Sequence, residues 1–162
     1  MIKQRDIALV VIAALVGAVT MGSVMSLRHL KTGVAGVAVN GSKPIIGESV
    51  YDWNKMEVKT TPIGETRAIL RGPTATLDEL EMHATTLNPG EASHPPHKHP
   101  NEELIIVDQG TVEALINGEW KRVGQGSVIL NASNVMHGLR NVGDTQAQYH
   151  VINWHTDKTP AQ

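Results

Sequence analysis

Cysteine is absent from the 162 residues. Without thiols there is no disulfide framework, no thiolate metal site and no cysteine nucleophile, so any transition metal must be held by nitrogen and oxygen. The same absence leaves the compartment open, because a chain without thiols tolerates either redox environment. Phenylalanine is missing too, and aromatics make up only 3% of the chain. Ile, Val, Leu and Met are left to line any cavity, which favours a small substrate over one that stacks on rings. Neither sign of charge dominates, with a formal net charge of -2. A nucleic-acid surface needs a basic patch or stripe, so nucleic acid is not expected as a partner. No Ser-His-Asp constellation stands out either.

Long apolar runs are scarce, and one dominates. Ile7 to Leu27 contains no charged side chain and follows Lys3 and Arg5. A helix here would satisfy its own backbone across a bilayer. A cleaved secretory signal is the rival, since Ile7 to Val16 has the size of a signal core, although Val24-Met25-Ser26 is a poor cleavage site. Residues 1–30 are therefore expected to be one hydrophobic helix, a signal peptide or a membrane anchor, and the rest to be exported or membrane-anchored. Residues 31–43, rich in Gly and small side chains, read as a linker. Residues 44–162 form the folded domain, long enough to bury a core.

That domain lacks a convincing long helix. It alternates apolar runs with turn signals. Arg67 to Leu70 precedes Gly72-Pro73, and Leu80 to Leu87 precedes Asn88-Pro89-Gly90. Glu103 to Val107 ends at Gly110, and Thr111 to Ile116 ends at Asn117-Gly118, a pair suited to a two-residue hairpin turn. Ser127 to Leu130 and Gln146 to Trp154 complete the strands. Their short, regular spacing points to a sandwich or barrel. Thr74 to Asp78 offers a short helix start.

Chemistry concentrates in His94-Pro-Pro-His97-Lys-His99-Pro-Asn-Glu102-Glu103. On extended backbone His97 and His99 share a face, and Glu103 shares its face with Ile105 and Val107, which sets a carboxylate at the mouth of an apolar interior. Neutral imidazole with carboxylate suits divalent first-row metals. Glu102 points the other way and is expected in solvent. His94 reads as a loop residue, His83 as a strand residue facing solvent or the barrel rim, and His150 and His155 as structural.

Together these stretches resemble the two motifs of the cupin superfamily. Gly90, His97-Lys98-His99, Glu103 and Gly110 match the first, and Gly126, His137 and Asn141 the second. Two departures stand out. Six residues separate Gly90 from His97, one more than usual, and Ala132-Ser133-Asn134 replaces Pro-x-Gly. Asn is the best substitute for Gly where a left-handed backbone is needed. The resemblance covers most of residues 80–154. It implies an all-β jelly-roll barrel (a double-stranded β-helix) that holds one divalent metal, Fe, Mn, Ni or Zn, through His97, His99, Glu103 and His137. It also implies a small-molecule substrate or ligand and a homodimer. Such a centre fits a metal-dependent enzyme, led by a dioxygenase-type oxidoreductase. A non-redox isomerase or lyase on a small carbonyl or sugar compound, and a binding protein without turnover, stay open, because fold does not choose chemistry.

Overall fold

The computed structural model describes residues 44–161. The expected N-terminal helix and the linker lie outside the described residues. Among those described, no helix is long and apolar enough to cross a membrane. One turn of 3-10 helix, Trp53–Lys55, precedes nine strands. These are β1 (Lys59–Thr61), β2 (Gly64–Gly72), β3 (Glu79–Leu87), β4 (Glu102–Gln109), β5 (Thr111–Ile116), β6 (Glu119–Gly124), β7 (Val128–Asn131), β8 (Leu139–Asn141) and β9 (Ala147–His155).

The strands form two sheets, a six-stranded one in the order β1-β2-β3-β9-β4-β7 and a three-stranded one in the order β6-β5-β8. All pairings are antiparallel. Period-2 alternation decides what faces inward. On β9, Ala147, Tyr149 and Val151 are buried, and their neighbours on β4, Ile105 and Val107, are buried with them. Val112 and Ala114 of β5 and Leu139 of β8 meet this set from the other sheet, so one core lies between the two. Each Val, Ile or Leu in this set contributes about 1.5–3 kcal/mol when removed from water.

The expected turns are present. Asn117 (φ 53°) and Gly118 (φ 80°) are both left-handed, as a two-residue hairpin requires. Gly110 (φ 84°) lies so close to β9 that a Cβ would stand 2.7 Å from the Cα of Ala147. Thr74, however, begins a bend and not a helix. Its Oγ1 accepts from the Leu77 amide at 3.1 Å, and the chain then enters β3 directly.

Candidate metal centre

Backbone pairing brings the two distant stretches together. The amide of His97 donates to the His137 carbonyl (3.0 Å) and the amide of His137 donates back (2.9 Å), forming an isolated antiparallel bridge. The Asn134 amide donates to the His99 carbonyl at 2.8 Å, and Asn134 itself is left-handed at φ 58°. The substitute turn thus keeps the backbone form that Gly would supply.

His97, His99 and His137 converge, each offering a ligand atom within 4.8 Å of the others. Their ring centroids are 4.5 Å (His97–His137), 4.7 Å (His99–His137) and 5.4 Å (His97–His99) apart. Glu103, half-buried at the start of β4, completes the set. Its Oε2 is 3.6 Å from His99 Nε2 and its Oε1 is 3.9 Å from His137 Nε2. All four sequence-derived candidates therefore meet at one place. Glu102 is exposed, as expected.

Orienting hydrogen bonds were not visible in the sequence. His137 Nδ1 lies 2.8 Å from the Val135 carbonyl and His99 Nδ1 2.9 Å from that of Asn101. A carbonyl only accepts, so the proton sits on Nδ1 and the Nε2 lone pair of each ring faces the cluster. Asn131 Nδ2 donates to Glu103 Oε1 at 2.9 Å across the β4–β7 pair. Asn131 falls on the inward register of β7 beside Ile129, so an amide at an apolar position was the available signal. His97 differs, because its Nδ1 is buried with no partner. Burial, reinforced by His94, His137 and His99, holds its pKa below the ordinary value of 6.5 against the pull of Glu103.

These residues fit a divalent cation. Buried polar atoms are nearly always paired, yet His137 Nε2 has no hydrogen-bond partner and points among the other donors. With metal bonds of roughly 2.1 Å, adjacent donors stand about 3 Å apart and opposite donors about 4.2 Å. The separations here reach that range with a small contraction. Three imidazoles and one carboxylate form a nitrogen–oxygen set matched to Fe, Mn, Ni or Zn.

Beside the cluster lies a cavity of about 240 Å³ bounded by Glu103 and His137. Ile63, Ile105, Leu139 and Val151 supply its apolar wall. Thr66, Thr85 and Tyr149 supply hydroxyls. Burial pushes the Tyr149 phenol up to about 12, only partly offset by hydrogen bonds with Ser93 and Thr85. His83 also lines the wall, with Nδ1 held by Glu81 Oε1 at 2.9 Å. His83, expected to face solvent or the barrel rim, therefore forms part of the cavity wall itself. His94, read as a loop residue, is exposed, packs edge-on to His97 (centroids 4.2 Å apart) and also borders the cavity. Tyr149 is buried in the core and also borders the cavity. His150 pairs with Asp108 and His155 lies 3.6 Å from Asp78.

Residues 83–153 match the family model described as Cupin_2, a cupin domain. Among solved structures the chain is similar to an RmlC-like cupin from Shewanella frigidimarina, with TM-score 0.56 and 16% identity over 69% of this chain and 95% of that one. It is similar to KdgF from Halomonas sp. (TM-score 0.56, 17% identity, 70% and 100% of the two chains). The polyketide cyclase RemF from Streptomyces resistomycificus follows at TM-score 0.53 and 16% identity, over 67% and 80%. At such identities the likeness concerns the fold alone. No curated protein matches the sequence significantly.

Proposed function

We propose, from the premise that this chain belongs to the cupin superfamily, that His97, His99, Glu103 and His137 hold one divalent cation and that the protein is a metal-dependent enzyme on a small molecule. The two sheets, in this reading, are the halves of a jelly-roll barrel. The observation that carries the proposal is the convergence of the four donors around the unpartnered, buried His137 Nε2.

A redox-active ion such as Fe(II) would supply dioxygen activation here, and Mn, Ni or Zn would supply polarisation of a carbonyl. We place oxidation of dioxygenase type first, for reasons in the cavity wall. Ile63, Ile105, Leu139 and Val151 set apolar surface beside the centre, suited to the apolar part of a small substrate. The Tyr149 phenol, pushed up to about 12, stays protonated at neutral pH, where it donates a hydrogen bond but removes no proton. A second reading, a non-redox isomerase or lyase, is favoured by His83. Glu81 holds its Nδ1, which leaves Nε2 as the nitrogen free to take or give a proton.

Protein purified without chelators and reloaded separately with Fe(II), Mn(II), Ni(II) and Zn(II) separates these readings. Oxygen uptake by the iron form with small chelating carbonyl or hydroxy acids supports the first. Turnover of the same compounds without oxygen, lost on His83→Ala, supports the second. Tight ligand retention without turnover by any metal form makes the protein a binding cupin.

A further inference from the structure

We propose that Asn131 is the positioning residue that fixes how Glu103 presents its carboxylate, and through it the metal preference of the centre. The inference rests on the reading of His97, His99, Glu103 and His137 as ligands. Glu103 and Asn131 face each other directly across the β4–β7 pair. Asn131 is 6% exposed, and its Nδ2 donates to Glu103 Oε1 at 2.9 Å. A carboxylate on a single-bonded stem has a broad terminal torsion and would otherwise rotate freely. The amide ties down one oxygen and leaves Oε2, 3.6 Å from His99 Nε2, as the freer donor.

The two other hydrogen bonds that orient the cluster come from main-chain carbonyls at Asn101 and Val135, which survive any side-chain change. Asn131 is different. Its contribution is made by a side chain, and side chains that orient ligands typically alter metal affinity by about 10–100-fold. The effect should also be selective. Imidazole suits Zn(II), whereas an oriented carboxylate matters most to Mn(II), a harder ion. Loosening Glu103 would leave a three-imidazole site that keeps Zn(II) better than Mn(II).

The test measures Mn(II) and Zn(II) affinities by chelator competition in the full chain, in Asn131→Ala, in Glu103→Ala and in the double variant. Asn131→Leu, which keeps the volume but not the donor, serves as a second probe, and melting of the metal-free forms checks the fold. Asn131→Ala and Asn131→Leu are expected to weaken Mn(II) by about 10–100-fold and Zn(II) by clearly less. In the Glu103→Ala background the same change should move Mn(II) affinity by less than about twofold. Equal loss of both ions would assign Asn131 a merely structural role and overturn the proposal. Unchanged Mn(II) affinity in either variant would overturn it as well, with the ligand reading intact. If the unaltered chain binds neither ion, or Glu103→Ala binds Mn(II) as tightly as the unaltered chain, the ligand reading itself fails first.

Discussion

Replacing Asn141 by alanine should cost stability and leave the metal centre alone. Asn141 is 1% exposed and closes the loop that returns the chain from β8 to β9. Its Nδ2 donates to the Leu87 carbonyl (3.1 Å) and the Thr145 carbonyl (2.8 Å), and its Oδ1 accepts from the Gly143 amide (3.0 Å). Each bond is worth about 0.5–1.5 kcal/mol net, and losing a partner in a fully buried place costs toward the upper end. Leu87 is wholly buried, whereas Thr145 is exposed and regains water. The expected loss is therefore about 3 kcal/mol, or roughly 12 °C in melting temperature for a domain of this size. Urea denaturation of the metal-free protein, followed by tryptophan fluorescence, measures it. Metal affinity, read well below the transition, should change by less than about twofold, because Asn141 belongs to no ligand contact. A stability loss under about 1 kcal/mol, or a large fall in metal affinity, would refute the reasoning.

Four other outcomes are expected. His137→Ala and His97→Ala should each reduce metal affinity at least about 100-fold while the β-rich circular dichroism persists, and a double variant that still binds one equivalent would sink the ligand set. The pKa of His97 is depressed in the folded state, so its neutral form is favoured there. The metal-free protein should hold this stability above pH ~6.5 and lose it as pH falls through the lowered folded value, and His97→Ala should flatten that slope in melting curves. Gly110→Ala should destabilise by at least about 2 kcal/mol in denaturant titrations, since φ is positive and the new Cβ meets β9. Export or anchoring through Ile7 to Leu27 remains our proposal, and a tagged full chain found free in the cytosolic fraction would oppose it.

The site was more legible than the sheet edges. His97, His99 and Glu103 stand out through residue type and register, whereas His137 enters only through the cupin resemblance that Gly126, His137 and Asn141 carry. The turns at Asn117-Gly118 and Asn134 were readable because few residues accept positive φ. By contrast β6 carries Glu-Trp-Lys-Arg with four exposed residues, so no alternation marks it as a strand. β1 and β8 are three residues each, too short for a period to show. Thr74 looked like a helix cap because a hydroxyl that accepts a later amide is common to caps and bends alike. The carbonyls of Asn101 and Val135 that aim two of the imidazoles carry no side-chain signature. Asn131 offered one, a polar residue on an inward register, but its partner appears only when β7 lies against β4.

Anomalous scattering from crystals grown of chelator-free protein tests the central claim most directly. It should locate one cation per chain, bonded to His97, His99, Glu103 and His137 at about 2.0–2.2 Å. A cation held by other side chains, or four metal-loaded forms whose scattering is empty at this cluster, would contradict the account.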